Sequence, residues 1–173
     1  MTFSVEEPYK IILSGEEITI RPIKGSDIDL ECDFIKNLSS QAKHYRFLGG
    51  VNQLSPNQLR QLCDIDFEHR IAFIAVIDRD GKEEQIGVSR YAQAPASDNY
   101  EFAVTVADQW KHKKVDKILV EKLMAFAKKH HIKRLFSINM ADDNDMRELA
   151  GDLGMKVERD PDDASQVIYS VEV

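Results

Sequence analysis

The sequence predicts a mixed α/β fold, a central sheet flanked by helices, and three observations predict it. Ile71–Ile77 is an apolar, β-branched run that reads as a buried strand, and Tyr100–Val106 alternates strictly, as a strand with two different faces does. Between that alternation and the apolar run Leu135–Met140, residues Val115, Ile118, Leu119, Leu123, Phe126 and Ala127 recur at helical spacing. A helix joining two strands is a crossover, so those strands are expected to be parallel neighbours. The strands joined by tight turns before them make the sheet mixed.

The elements follow in order. Lys10–Leu13 and Ile18–Ile20 form a hairpin about the turn Ser14-Gly15-Glu16-Glu17. Ser26 or Asp27 caps a helix whose stripe is Ile28, Phe34, Ile35 and Leu38, and a second short helix follows Ser39. Ser55-Pro56 opens a third, because serine caps the free amides and proline fits the first turn. Its Leu59, Leu62 and Cys63 face one way. Ile71–Ile77 and Gln85–Ala92 pair across the turn signal Asp80-Gly81, and Ala94–Asn99 is a loop before the strand Tyr100–Val106. The crossover helix runs to about His130. A strand Leu135–Met140, a short helix Asp145–Leu153 and a last strand Val167–Val173 complete the chain. Residues 1–17 read as an N-terminal segment with a hairpin strand, and 18–173 as the domain proper.

Composition narrows the function. The 173 residues are 43% hydrophobic and 31% charged, enough to bury a core. With 23 basic and 30 acidic residues the net charge is -7, which repels phosphate backbones and argues against a nucleic-acid partner. Cys32 and Cys63 are isolated, with no zinc spacing, so no metal site is expected and a reducing compartment is. Met1–Lys10 does not read as a signal peptide, and no apolar run reaches the ~18–20 residues of a membrane span. The expected location is the cytoplasm, away from membranes.

Alternation places Tyr100, Phe102, Val104 and Val106 on one face of their strand, as core. The other face carries Glu101, Ala103, Thr105 and Ala107, small residues and one carboxylate, which leaves room for a ligand. A ligand site is expected where this strand ends and the crossover helix begins. On the residues alone, Glu101 is a candidate base or an exposed residue paired to a neighbouring cation.

The phrases Tyr100-Glu101-Phe102-Ala103-Val104-Thr105-Val106 and Asp108-Gln109-Trp110 make the pattern specific, as do Ile20-Arg21-Pro22, Tyr45-Arg46-Phe47, Leu54-Ser55-Pro56, Ile86-Gly87-Val88, Leu153-Gly154 and Asp160-Pro161-Asp162-Asp163. With these markers, from about Ile18 to Val173, the chain resembles the GCN5-related N-acetyltransferase (GNAT) fold family. More narrowly, it resembles the acetyltransferase domain of bacterial protein lysine acetyltransferases that modify acyl-CoA synthetases. The resemblance implies an acetyl-CoA-dependent N-acetyltransferase, with Glu101 as the base for the acceptor amine. That proton must go, because a free lysine amine has a pKa near ~10.4 and is not nucleophilic when protonated. It also implies that backbone N–H groups at Val104 and Val106 hold the thioester oxygen and the pantetheine arm. His44, Tyr45 and Arg46 fall on the acceptor side.

The resemblance also exposes departures. The family's loop, Gln/Arg-x-x-Gly-x-Gly/Ala, cradles the donor's pyrophosphate at the helix N-terminus. Here the stretch is Lys111-His112-Lys113-Lys114-Val115-Asp116-Lys117, with Lys114 and Asp116 at the two small-residue places. A non-glycine residue in the left-handed region costs ~1–2 kcal/mol, and Asp116 repels phosphate. Asp143 stands where the family has an asparagine contact, with Asn144 one residue later. Lys111, Lys113, Lys114 and Lys117 offer point charges for an anion, or form a solvated cluster. Three readings stay open: a protein lysine acetyltransferase that binds acetyl-CoA weakly, a non-catalytic module of the same fold, and an acetyltransferase for a small amine. The acceptor's identity and the oligomeric state are not legible in the sequence.

Overall fold

The computed structural model describes residues 6–48 and 53–173. Of the expected N-terminal segment 1–17, residues 1–5 lie outside the described residues. Among the described residues eight strands form one sheet, in the spatial order β1-β2-β3-β4-β5-β6-β8-β7. They are β1 (Tyr9–Leu13), β2 (Glu16–Pro22), β3 (Arg70–Arg79), β4 (Lys82–Gln93), β5 (Tyr100–Val106), β6 (Arg134–Met140), β7 (Lys156–Arg159) and β8 (Gln166–Glu172). The helices are α1 (Ile28–Lys36), α2 (Ser40–Arg46), α3 (Pro56–Cys63), α4 (Val115–Lys129) and α5 (Asn144–Asp152). Every neighbouring pair is antiparallel except β5 and β6, which α4 connects as the crossover.

Two cores sit on opposite faces of the sheet. α4 and α5 cover Ile18, Phe73, Tyr91, Phe102 and Leu135, while α1, α2 and α3 cover Ile23, Ala72, Ile74 and Val88. Both faces of β3 are therefore covered, and its run Ile71–Ile77 is buried without alternation. α4 lies close on β4 because Gly87 has no side chain: a Cβ there would meet Leu119 Cδ1 at 2.9 Å. Next to it Ser89 Oγ donates to the Leu119 carbonyl at 2.9 Å.

Two details differ from the sequence reading. β7 was not expected: all four of its residues are exposed, so no apolar alternation marks it. Asp27 precedes α1, but its carboxylate does not cap the helix; it accepts two bonds from Arg21, at 2.7 and 2.8 Å, and one from the Lys24 amide at 2.7 Å. Ser26, the other candidate, lies inside a short 3-10 turn and does not cap α1 either, whereas Ser55 caps as expected and Ser39 supplies a cap that was not expected. Ser39 Oγ accepts from the Ala42 amide, and Ser55 forms a reciprocal capping box with Gln58.

Candidate functional site

The site is made by a ladder that stops early. β5 and β6 pair only at Tyr100 with Leu135 and Glu101 with Phe136. Beyond that point β5 stays with β4 to Val106, and β6 stays with β8 to Met140. The Ala107 amide bonds the Ile86 carbonyl on the β4 side. Backbone groups alternate along a strand, so the amides of Val106 and Val104 turn toward β6, where no ladder receives them. A cleft of about 350 Å³ opens along this unpaired edge.

Side chains on the cleft wall come from α2, β5, α4, β6 and α5. Phe102 and Val106 enter the core beneath α4. Ala103 stands opposite Arg90, whose guanidinium reaches Leu62 and Glu31 on the α1–α3 side, so Glu101, Ala103 and Thr105 share that face. Thr105 Oγ1 is buried and has no hydrogen-bond partner among the described residues. Asp108 fixes the opposite wall: its carboxylate accepts from the amide and hydroxyl of Ser39, at 2.9 and 3.0 Å, and so ties the start of α2 to the end of β5. α2 then carries Tyr45 and Arg46 to the cleft, where Tyr45 Oη donates to the Asp142 carbonyl at 3.4 Å.

Glu101 forms no ion pair among the described residues, so the paired-cation alternative does not describe it. By surface area the residue is exposed, as that alternative expects, yet its carboxyl is partly desolvated within the cleft, which raises it above the ordinary value, with the Arg46 charge opposing. Arg46 is half-buried by surface area, but its guanidinium lies deep; burial and then the neighbouring Arg90 charge push it down to about 10, with Glu31 and Glu101 opposing.

The phosphate end of the cleft departs from the expectation. Lys114 is left-handed, with φ 68°, and so is His112, with φ 61°. Asp116 is not: it sits in the first turn of α4, where a carboxylate suits the helix dipole, and its Oδ1 accepts from the Lys117 amide at 2.8 Å. The lysines are not a free cluster. Lys111 Nζ pairs with Asp108 at 3.3 Å and Asp145 at 3.6 Å, and Lys114 Nζ pairs with Asp152 at 3.0 Å. Lys113 Nζ lies over the Trp110 ring at 4.9 Å.

Several expected contacts therefore fall away from the cleft wall. Val115 is in the core, and Lys113 and Lys117 do not line the cleft, although the Lys117 charge acts on Asp152. Asn144 is off the wall, with its Oδ1 accepting from Arg147 Nη1 at 3.2 Å. His44 is exposed beside Tyr45. Asp143 does line the cleft, as the N-cap of α5 accepting from the Met146 amide at 3.1 Å; burial raises its carboxyl.

The sequence reading missed the acidic wall of α5. Asp145, Glu148 and Asp152 all face the cleft, and their spacing of three and four residues marks one helix face. In all, six carboxylates and three permanent cations line it: Glu101, Asp116, Asp143, Asp145, Glu148 and Asp152 against Arg46, Lys111 and Lys114. The open β5 edge fits a thioester and its amide-bearing arm. The other end fits a pyrophosphate poorly, because its lysines are already matched by carboxylates. Among the described residues no group of His, Cys, Asp and Glu is placed to hold a metal ion. No helix among them is long and apolar enough to cross a membrane.

The chain is 37% identical to a Pseudomonas aeruginosa protein named as an acetyltransferase, over 90% of this chain and 83% of that protein. Its fold matches the GNAT domain of an S. lividans protein, PAT, with a TM-score of 0.84 at 23% identity, covering 96% of this chain and 97% of that one. A Vibrio fischeri ribosomal-protein-S5-alanine acetyltransferase matches with a TM-score of 0.75 at 12% identity, over 96% of this chain and 97% of that one. No protein-family model matches the chain.

Proposed function

The chain belongs to the GCN5-related N-acetyltransferase family, and from that premise we propose that it transfers an acetyl group from acetyl-CoA to a lysine amine of a protein. The observation that carries the reading is the unpaired β5 edge beside Glu101: open backbone donors and one unpaired carboxylate share one cleft.

In this reading the donor supplies the acetyl group as a thioester. The Val104 and Val106 backbone holds the pantetheine arm and faces the thioester oxygen, where negative charge grows during attack. Glu101 takes a proton from the acceptor ammonium. The freed nitrogen bonds to the carbonyl carbon, the carbon–sulfur bond breaks, and the nitrogen gives up its second proton, through water, to the departing thiolate. The raised carboxyl of Glu101 suits this work better than an ordinary glutamate. Donor affinity is weak, because the phosphates meet lysines held by Asp145 and Asp152.

The same acidic end favours a second reading, a non-catalytic module of this fold. A small amine in place of a protein lysine is the third. Calorimetry with acetyl-CoA, followed by thiol release in the presence of lysine peptides and small amines, separates them. Donor binding with turnover on peptides supports the first reading; no donor binding supports the second; turnover on small amines alone supports the third. The cytoplasm is the proposed location, which two unpaired cysteines suit.

A further inference from the structure

We infer that the acceptor carries a carboxylate near its reactive amine, and that Arg46 receives this carboxylate where the cleft meets a second cavity. The inference rests on the acetyl-transfer reading and names the acceptor's chemistry. The second cavity, of about 400 Å³, lies against α3 and the ends of β3 and β4, and Arg46 lines both it and the cleft.

Among the described residues three arginines line this cavity, Arg46, Arg70 and Arg90, against one acidic residue, Asp64. That is a local positive site in a chain of net charge -7. Two of the three are matched. Arg90 donates to Glu31 at 3.2 Å and to the Leu62 carbonyl at 3.0 Å, and Arg70 faces Asp64 at 3.7 Å. Arg46 forms no ion pair among the described residues; its guanidinium lies over the Phe47 ring, 5.1 Å from the centroid. Residues 1–5 and 49–52 contain no Asp or Glu, so every acidic side chain lies among the described residues, and none pairs with Arg46.

Glu31 and Glu101 act on Arg46 through space against the Arg90 charge, but neither is hydrogen-bonded to it, so its guanidinium keeps donors for a further anion. A planar guanidinium takes a carboxylate through two parallel hydrogen bonds. Glu101 shares the cleft and repels a carboxylate from its own place. The two side chains thus sort the acceptor, amine to Glu101 and carboxylate to Arg46. An acidic residue beside a protein lysine supplies this chemistry, as does the α-carboxylate of a free amino acid.

The test uses the full chain with acetyl-CoA, thiol release, and two matched pairs of acceptors. One pair is a capped peptide amide with a lysine flanked by glutamate or by glutamine; the other is free lysine and lysinamide. The carboxylate member of at least one pair is expected to be preferred by about tenfold or more in kcat/KM. The pair showing the preference identifies the source. Arg46→Gln should bring the ratio to within about twofold and Arg46→Glu should invert it, in variants whose melting shows that they fold. Equal use of both members of both pairs, or a preference that survives Arg46→Gln, overturns the inference while acetyl transfer stands. If no acceptor turns over, the acetyl-transfer reading fails, and calorimetry of the glutamate peptide and free lysine without donor decides the inference. Binding that Arg46→Gln abolishes supports it; no binding, or equal binding to the two proteins, overturns it.

Discussion

Lys114 Nζ donates to Asp152 Oδ2 across 3.0 Å, which joins the residue before α4 to the last residue of α5 beside the cleft. The lysine assigned to phosphate in the proposed donor site is thereby occupied by the protein's own carboxylate. Asp152→Asn should release it. Acetyl-CoA affinity should then rise, and it should fall more steeply with ionic strength than in the native protein, because screening acts on the freed charge within ~8–10 Å. Titrations of both proteins at low and high salt check this; identical salt slopes would show that Lys114 never contacts the donor.

The backbone at Lys114 makes a separate prediction. Its φ of 68° is strained for any residue but glycine. Lys114→Gly should raise the melting temperature by roughly 2–4 °C, with the extra freedom of glycine in the unfolded chain taking back part of the gain. Adding Asp116→Gly should lower it again, since Asp116 lies in the first helical turn, where glycine weakens the helix and the carboxylate suits the dipole. Thermal melts of the single and double variants check both signs.

That contrast shows what the sequence made legible. The crossover between Tyr100–Val106 and Leu135–Met140 was readable, because helical and strand periodicities differ and a helix between strands has few geometries. Alternation separated the faces of β5 only in part, since Thr105 is buried and Val104 half-buried, and the cleft itself comes from a β5–β6 ladder that stops at Glu101, which alternation does not reveal. The state of the loop was not, because aligned spacing gave Lys114 and Asp116 the same status, whereas helix α4 starts between them. Nor did a count of lysines reveal that α5 brings Asp145 and Asp152 to them, since that contact is long-range. β7 escaped because an exposed edge strand needs no apolar pattern.

Stability at low pH should depend on Asp27. Burial works to raise its pKa, but the Arg21 hydrogen bonds and the Lys24 amide outweigh it, and the net shift is downward. A carboxyl held lower in the native state binds its proton more weakly there. Its contribution is therefore full above about pH 4 and is lost as pH falls through the lowered native value. Asp27→Ala should cost roughly 3 kcal/mol at neutral pH, the low end for a broken buried pair because Glu83 still faces Arg21. Denaturant melts should show this gap narrowing below about pH 4. A gap that does not change with pH would mean the loss is one of packing.

The last expectation joins Glu101 to Arg46. In the proposed reaction Glu101 takes the amine's proton in its ionised form, so kcat/KM should rise as pH climbs through the Glu101 pKa. Burial raises that pKa, so the acid limb should lie above the ~4.3 of an ordinary glutamate. Glu101→Gln should lower turnover by ~10²–10⁴-fold and abolish this limb, while acetyl-CoA binding stays nearly unchanged. Arg46 opposes the rise, so Arg46→Gln should move the same limb to higher pH without removing it. The two variants thus differ in shape as well as rate: one loses the titration, the other displaces it. A pH–rate profile of each against the native protein reads both effects. An acid limb that survives in Glu101→Gln would assign the proton transfer to another group, with Asp143 next in turn as the other cleft carboxyl that burial raises.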